Sequence, residues 1–358
     1  MLSSVSLVIP VFNASATLAQ TLSSIEREIR DNFKIDWQII AVDDGSNDGS
    51  LEILNDWLPK LPLEIVELAH SGSPAGPRNH GLEIANKDYI FFLDADDVLL
   101  PGGLSSAIAF AVANNSDVVL PRLKSLDGRG VPRGMFSENK SKVELTDSRI
   151  YWALNPMKLV RRSLLNDEKI RFDSKLRRDE DQPFSLKVYL AANKISILAD
   201  PPTVGVRYAP TRSNLTLRDY QPSDCFDFLK TMVSILDQGV PRQEDRNFLM
   251  IRHWEIEIAR ELFWKRLALL KPTQWDETIS WMNEFSKSRL VPAMLPRTSV
   301  RWRGIIGLIA TGNDKDLRRL LAARQLVLEN HSMISKVQGI IISNWIRLKL
   351  TLWLPKNF

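Results

Sequence analysis

The stretch from Tyr89 to Asp97, YIFFLDADD, constrains the fold more than any other part of the chain. Its apolar half is too short for a helix and too apolar for an exposed element, so it predicts a strand covered on both faces. Asp94, Asp96 and Asp97 follow where the strand leaves the sheet, which is the end that binds ligands in open α/β sheets. Three crowded carboxylates suit Mg²⁺ or Mn²⁺ carrying a diphosphate. A polar turn before a helix near Pro101 explains the same residues equally well.

Short apolar runs alternate with helical patterns through the first half of the chain. This alternation predicts an α/β fold with a doubly wound, mostly parallel sheet and right-handed crossovers. Asn13 and Ser15 are the predicted caps of the first helix. The predicted strands are residues 5–10, 37–42, 63–68, 89–93, 117–121 and 195–198, and the predicted helices are residues 16–30, 48–57, 78–85 and 183–192. Residues 122–142 and 204–216 are predicted to be loops, the first of them basic.

A second group of chemically capable residues lies at residues 177–182, RRDEDQ, just before a predicted helix. Carboxylates in a first helical turn are favoured by the helix dipole, so this group also fits an ordinary helix start. In the loop at residues 204–216, Arg207, Tyr208 and Arg212 are candidate phosphate ligands, or equally part of a solvated connector.

Beyond about residue 217 the sequence pattern becomes helical. Ile251, Trp254, Ile258 and Leu262 recur at helical spacing, and Pro272 is predicted to end that segment. His253 and the tryptophans of this region are interpreted as core or interface residues. Pro292 and Pro296 predict a linker, and Asp314 predicts the start of another helix.

The tail at residues 340–355 mixes basic residues with tryptophans and aliphatic residues, and its periodicity fits a strand as well as a helix. Packing against its own domain or a second subunit is favoured over a basic helix lying on a membrane surface. The region therefore predicts either a homo-oligomer contact or peripheral attachment to the inner face of the cell membrane.

Charge and composition narrow the expected partners. The net charge of +4 and pI near 9.1 favour an anionic partner, but no recognition motif for nucleic acid is present. The single Cys225 excludes an internal disulfide and fits a reducing cytoplasm. The 4 histidines have no zinc-site spacing, and no segment reads as a signal peptide or a membrane span.

Five motifs in order resemble the family 2 nucleotide-sugar glycosyltransferases of the GT-A fold. They are VSLVIPVFN (residues 5–13), IIAVDDGSNDGS (39–50), GPRNHGLEIA (76–85), FFLDADD (91–97) and DEDQPF (179–184). The resemblance implies a GT-A catalytic domain over residues 1–215, followed by a smaller, mainly helical region over residues 216–358. It also implies a UDP-sugar donor.

Three further segments resemble teichoic acid transferases that add N-acetylglucosamine to poly(ribitol phosphate). They are residues 128–136, 147–165 and 180–200. This likeness implies a polyol-phosphate acceptor on a cell-surface polymer, with which the basic loop and the pI are compatible. The C-terminal part does not follow those enzymes recognisably, so the reaction type is better supported than the acceptor.

The family resemblance implies a role for each matching position of the donor site. Asp44 and Arg78 match positions that contact the uracil, and Pro10 lines the same pocket through its backbone. Asp94 matches the acid on the ribose side, and Asp96 matches the ligand of Mn²⁺ or Mg²⁺. A metal there would offset the charge on the departing diphosphate.

The same resemblance implies the catalytic base. Asp181 matches the residue that takes a proton from the acceptor hydroxyl as it attacks the anomeric carbon, which implies inversion. Glu180 and Gln182 are implied to orient sugar or acceptor, although an exposed helix start also accounts for them.

Two positions depart from the family pattern. His70 stands where the family often has Asn, eight residues before Arg78, which predicts an altered base or ribose pocket. Asn214 stands where relatives have a His that contacts diphosphate or metal. Arg207 and Arg212 are the candidates to replace that contact.

Two other classes of protein remain as alternatives. A nucleotidyltransferase shares a sheet with terminal acids but carries a glycine-rich loop near the first strand, where this chain has residues 10–15. The other alternative is a non-catalytic protein that binds a polyanion, or assists assembly, on a transferase scaffold. The presence of all five matching site residues argues against a scaffold that has lost its catalytic activity. They are Asp44, Arg78, Asp94, Asp96 and Asp181. Dehydrogenases and kinases are disfavoured because their glycine-rich motifs are absent.

Overall fold

The computed structural model describes residues 3–146, 149–207 and 221–329. The chain divides into two compact units, residues 1–219 and 220–358. Cys225, the single cysteine of the chain, is buried. Among the described helices, none combines the length and the apolar character that crossing a bilayer requires.

The first unit is built on an eight-stranded sheet in the order β3-β2-β1-β4-β9-β6-β10-β8. Its strands are β1 (Ser4–Val11), β2 (Asp36–Asp43), β3 (Leu63–Glu67), β4 (Tyr89–Phe92), β6 (Val118–Pro121), β8 (Lys140–Val143), β9 (Leu159–Arg161) and β10 (Ile195–Leu198). A second sheet has the order β5-β11-β7 and consists of β5 (Val98–Leu99), β7 (Leu123–Ser125) and β11 (Val204–Val206). β1 pairs in parallel with β2 and β4, whereas β9 is antiparallel to β4 and β6. The predicted α/β, mostly parallel fold is confirmed.

Helices cover the sheet and account for the apolar character of its central strands. They are α1 (Leu18–Asp31), α2 (Ser50–Trp57), α3 (Ala75–Ile84), α4 (Gly103–Asn114), α5 (Arg162–Asp167) and α6 (Asp181–Ala191). Every residue of β4 is buried, as expected of a strand covered on both faces. α3 approaches β1 very closely, because a Cβ atom at Gly81 would lie 2.3 Å from Cγ1 of Val8.

Two predictions about loops were wrong. The basic stretch predicted as one loop contains β7 and β8, which pair with β11 and β10. The predicted loop at residues 204–216 begins with β11. All three strands are short, and β7 and β8 are mostly polar, so their pairing with distant strands is what stabilises them, and no local pattern carries that information.

The predicted cap of the first helix was also wrong. α1 begins at Leu18, and its N-cap Thr17 makes no side-chain capping bond. Asn13 instead accepts a hydrogen bond through Oδ1 from the Asn47 backbone at 2.9 Å, and the Ser15 backbone donates to Asp48 at 2.9 Å. These groups therefore tie the end of β1 to the loop after β2.

The described part of the second unit, residues 221–329, is helical, as predicted. Its α-helices are α7 (Pro222–Gly239), α8 (Gln243–His253), α9 (Pro272–Arg289), α10 (Val300–Ala310) and α11 (Asp314–Glu329), with a π-helix at Trp254–Arg266. His253 and Trp254 are fully buried, which confirms their predicted place in the core. Burial lowers the pKa of His253, while Glu257 hydrogen-bonds its ring at 3.0 Å.

Prolines separate the helices of this unit. The segment that contains Ile258 and Leu262 ends at Leu269, just before Pro272, which itself begins α9, where its fixed φ and missing N–H are tolerated. Pro292 and Pro296 lie in a 3-10 helix, Pro292–Arg297, that connects α9 to α10. The tail at residues 340–355 lies outside the described residues.

Candidate active site

Three carboxylates lie together at the carboxyl end of β4. Asp94, Asp96 and Asp97 each offer an oxygen, and these oxygens all lie within 4.8 Å of one another. A tight turn brings them together, since the Asp97 backbone N–H donates to the Asp94 carbonyl at 3.0 Å. Asp97 is fully buried, whereas Asp94 and Asp96 are partly exposed.

Crowding and burial make this acid cluster electrostatically unfavourable. Burial, with Asp94 and Asp96 adding to it, raises the pKa of Asp97 to about 8. Burial and Asp94 also raise the pKa of Asp96. Arg129 opposes both shifts, and its Nη1 lies 3.7 Å from Oδ1 of Asp97. A negative excess therefore remains among these three side chains.

The donor set of the acid cluster fits a divalent cation. Oδ1 of Asp97 accepts a hydrogen bond from the Arg207 backbone at 2.9 Å. Its Oδ2 is buried and has no hydrogen-bond partner within the described part of the chain. Carboxylate oxygens at this spacing are the hard ligands that Mg²⁺ and Mn²⁺ take in proteins.

Arg78 connects the acid cluster to the start of α6. From α3, its Nη2 donates to Oδ1 of Asp94 at 2.8 Å and its Nη1 donates to Oε1 of Glu180 at 2.6 Å. Arg78 is 5% exposed. Burial opposes its charge, but Asp94, Glu180 and Asp181 outweigh burial and raise the pKa of the guanidinium. The resemblance assigned Arg78 to the uracil, whereas the structure places its terminal nitrogens between two carboxylates.

Asp181 is the first residue of α6 and directly follows Glu180. Burial, then Glu180 and Asp179, raises the pKa of Asp181 to about 8, while Arg78 and Lys158 act in the opposite direction. Such a carboxylate accepts a proton more readily than an ordinary aspartate near neutral pH. Gln182, the next residue, is buried in the first turn of α6.

A second acidic position lies at the carboxyl end of β2. Asp44 is 3% exposed and accepts two hydrogen bonds, from the Ser71 backbone to Oδ1 and with Nδ1 of His70 at Oδ2, both at 2.9 Å. The His70 ring stacks on Phe12, with centroids 4.1 Å apart. Pro10, near the end of β1, is the partly exposed residue of that strand. An acid and two stacked rings therefore lie together at this end of the sheet.

The structure brings some predicted site residues together and not others. The Arg207 backbone donates to Asp97, its charge acts to lower the pKa of Asp96, and its carbonyl accepts a hydrogen bond from Arg129 at 3.2 Å. Arg212 and Asn214 lie outside the described residues. Residue-by-residue reasoning missed Arg129 and Lys158. Both lie in segments whose resemblance to teichoic acid transferases was noted, which is the signal that singles them out.

Fold and site together define a class. An open, mostly parallel sheet with acids at the carboxyl ends of two strands and a further acid on a neighbouring helix is the arrangement of the GT-A fold. Residues 6–172 match the model described as Glycosyl transferase family 2.

Individual relatives agree with the class. The chain is 41% identical over 198 residues to a poly(ribitol-phosphate) beta-glucosyltransferase of Bacillus spizizenii, covering 55% of this chain and 31% of that protein. It is 38% identical over 277 residues to the poly(ribitol-phosphate) beta-N-acetylglucosaminyltransferase TarS of Staphylococcus aureus, covering 75% of this chain and 47% of TarS. The chain thus spans less than half the length of these two relatives. The predicted likeness to poly(ribitol phosphate) transferases is confirmed.

A solved structure matches most of the chain. The crystal structure of S. aureus TarS residues 1–349 in complex with UDP-GlcNAc superposes with a TM-score of 0.77 at 26% identity, covering 91% of both chains. This match confirms the predicted GT-A fold followed by a helical C-terminal region.

Proposed function

We propose that this chain is an inverting glycosyltransferase that moves a sugar, with N-acetylglucosamine as the first candidate, from a UDP-sugar to a hydroxyl of a poly(ribitol phosphate)-like polymer. The observation that carries the proposal is Arg78, which joins the acid cluster after β4 to the helix that begins with Asp181. One buried cation thus holds the proposed diphosphate end and the proposed base in a fixed relation. The relatives' printed activities support the choice of donor and acceptor.

In this proposal the uracil binds beside Asp44, at the end of β2. Asp44 is a hydrogen-bond acceptor held in place by Ser71 and His70, so its carboxylate is oriented before a base arrives. The stacked rings of Phe12 and His70 supply a flat apolar wall beside it. Pro10 adds a backbone contact, as the resemblance implies.

Asp94, Asp96 and Asp97 are the residues that would hold Mn²⁺ or Mg²⁺. When bound there, such a cation supplies positive charge beside a diphosphate leaving group. Asp94 also accepts a hydrogen bond from Arg78. In this proposal the Asp94 carboxylate, held in this way, orients the ribose end of the donor. The buried and unpartnered Oδ2 of Asp97 supports a cation in this place.

Asp181 acts as the general base of the proposed reaction. Its raised pKa, about 8, suits the removal of a proton from an acceptor hydroxyl near neutral pH. Glu180, held by Arg78, fixes the start of α6 and therefore the direction of the neighbouring carboxylate. A base that activates the acceptor directly is the arrangement of a single displacement, which inverts the anomeric carbon.

The helical unit, residues 220–358, is assigned in this proposal to acceptor binding, self-association or attachment to the inner face of the cell membrane. The net charge of +4 suits an anionic polymer. A single buried Cys225 with no second cysteine to pair with suits a reducing cytoplasm.

The donor site is tested by titrating the purified chain with UDP-N-acetylglucosamine, UDP-glucose, UDP-galactose and their GDP and CDP counterparts. Binding and release of nucleoside diphosphate are both followed, first with Mn²⁺ and then with chelator. We expect one UDP-sugar to bind in the presence of Mn²⁺. This binding should be lost when chelator is added, and it should also be lost in Asp96→Ala. Asp56→Ala, which removes an exposed carboxylate of α2, is the matched control and should bind like the parent.

Two results would contradict the proposal in different ways. If no nucleotide sugar binds under any condition, the transferase proposal fails at the donor site. If the polymer binds equally to the parent and to Asp181→Asn and no donor is turned over, the chain is a non-catalytic polymer-binding protein.

A further inference from the structure

Lys158 is a buried cation that lies against α6 just before β9 begins. It is 1% exposed. Its Nζ donates to Oγ of Ser185 at 2.9 Å and to the carbonyl of Asn155. The same Nζ lies 5.2 Å from the centre of the Tyr189 ring. The ammonium is therefore held by polar groups and an aromatic face, in the interior of the first unit.

The contacts of Lys158 place it against the face of α6 that also carries Asp181, the first residue of that helix. Ser185 and Tyr189 follow Asp181 by four and eight residues, and residues four apart lie one above the other on a helix. Asp181 is the charged group whose electrostatic interaction favours the protonated form of Lys158. Within residues 3–146, 149–207 and 221–329, no carboxylate oxygen lies within ion-pair distance of this Nζ.

The position is expensive for a lysine. Burial lowers the pKa of Lys158 while Asp181 acts to raise it, so the surroundings other than Asp181 work against its charge. The hydroxyl of Ser185 also donates to the Leu154 carbonyl at 2.8 Å, so it has a partner besides the lysine. An apolar side chain of similar length would therefore fill the space at a lower cost in desolvation. What such a side chain would not supply is positive charge near Asp181.

We propose that Lys158 is a positioning residue for the base, and that its ammonium stabilises the carboxylate form of Asp181 from beneath α6. This inference rests on the proposed role of Asp181 as the general base. Two acids, Glu180 and Asp179, favour the protonated form of Asp181, whereas Arg78 and Lys158 favour its carboxylate. Arg78 is already shared between Asp94 and Glu180. Lys158 is therefore the cation of this group whose charge is not committed to another acid.

The test compares the pH dependence of kcat/KM for the parent, Lys158→Met and Lys158→Arg. Loss of the ammonium should raise the pKa of Asp181, so the acidic limb of the Lys158→Met profile should move upward by about one pH unit. Lys158→Arg keeps the charge and should leave the limb within a few tenths of a unit of the parent. Lys187→Met removes a lysine from the same helix and is the matched control, with no shift expected.

A second measurement does not depend on turnover. The carboxyl carbon of ¹³C-labelled aspartate, assigned to Asp181 by its loss in Asp181→Asn, is titrated by NMR in the parent and in Lys158→Met. The Asp181 titration should move to higher pH in Lys158→Met and stay in place in Lys187→Met. If Lys158→Met does not fold, Lys158→Gln, which can still hydrogen-bond Ser185, takes its place in both measurements.

The outcomes separate this inference from the proposed function. An active parent whose Lys158 variants lose activity equally at every pH, with an unshifted limb and an unshifted NMR titration, would overturn the inference and give Lys158 a purely structural role. A parent that turns over no donor would overturn the proposed function, while the NMR titration would still decide whether Lys158 acts on Asp181.

Discussion

The two ends of the proposed donor site treat negative charge differently. Asp44 lies at the end of β2 with a hydrogen bond to each of its carboxylate oxygens. At the end of β4, three carboxylates crowd together, and one oxygen of Asp97 has no partner in the described part of the chain. The first end is complete as it stands, whereas the second is favourable only when positive charge is added to it.

This difference suggests what each end binds. A completed, oriented acceptor suits a neutral heterocycle, which brings hydrogen-bond donors and no net charge. An incomplete cluster of acids suits a diphosphate accompanied by a divalent cation, since each neutralises part of the other. The nucleotide half of a UDP-sugar has these two parts.

The largest expected effect is on turnover and comes from removing the proposed general base, Asp181. Neither end of the donor site supplies a substitute for it. Asp181→Asn keeps the shape of the side chain and removes its capacity to accept a proton, so we expect turnover to fall by about 10² to 10⁴. Donor affinity should remain close to that of the parent. Steady-state release of UDP and equilibrium binding measure the two quantities separately. Asp167→Asn, an exposed change on α5, is the control, and equal losses of binding and turnover would contradict the assignment.

The next effect is expected at the bridge between the acid cluster and the base. Arg78→Met leaves Asp94 and Glu180 without their shared cation, and we expect a loss of about 3 kcal/mol in the free energy of unfolding. Chemical denaturation measures this loss. Arg122→Met breaks an exposed pair with Asp200 and should cost less than about 1 kcal/mol. Equal losses in the two variants would show that the buried bridge has no special importance.

A smaller effect should appear in the pH dependence of stability without divalent cations. Because the pKa of Asp97 is raised to about 8, the folded chain keeps a proton that the unfolded chain releases above its ordinary value of 3.8. Its contribution therefore makes the chain less stable as the pH rises between these values, by at most about 1.4 kcal/mol per pH unit. Urea unfolding between pH 5 and pH 8 in chelator should show this slope, and Asp97→Asn should flatten it. An identical slope in both proteins would contradict the raised pKa.

The smallest effect is expected at the end of the donor site that contains Asp44. His70→Asn restores the residue that the family often has and keeps a group able to hydrogen-bond Asp44, but it removes the ring stacked on Phe12. We expect UDP affinity to change by about two- to fivefold, as the loss of one aromatic contact implies. Calorimetry with UDP in the presence of Mn²⁺ measures it. A loss of more than about a hundredfold would place His70 in direct contact with the nucleotide.

The strands of the site were predictable because their signals are local. The apolar residues of β4 are continuous, and the acids that follow must lie at its carboxyl end, so the acid cluster follows from one short stretch. β9 was not predicted. It inserts antiparallel between β4 and β6, and its three residues carry no pattern that distinguishes them from a loop.

The partners of the site residues were much less predictable. Arg78 and Glu180 are 102 residues apart in the chain, and a charged residue at either position is consistent with many folds. Lys158 precedes the unpredicted strand, so its burial under α6 was equally invisible. Motif resemblance selected Asp44, Asp181 and Arg78, but it carried no information about the pairing of Arg78 with Asp94 and Glu180.

Gly81 joins two distant positions of the sequence into one shared volume. The Cγ1 atom of Val8 occupies the space that a methyl group at residue 81 would need. α3 also carries Arg78, so any side chain at 81 would lift the guanidinium away from its two acids unless residue 8 became smaller. Among sequences that share this site, side-chain size at positions 8 and 81 should therefore vary in opposite directions. The residue types accepted at position 81 would then depend on the neighbouring Arg78 bridge, although glycine has no functional group of its own.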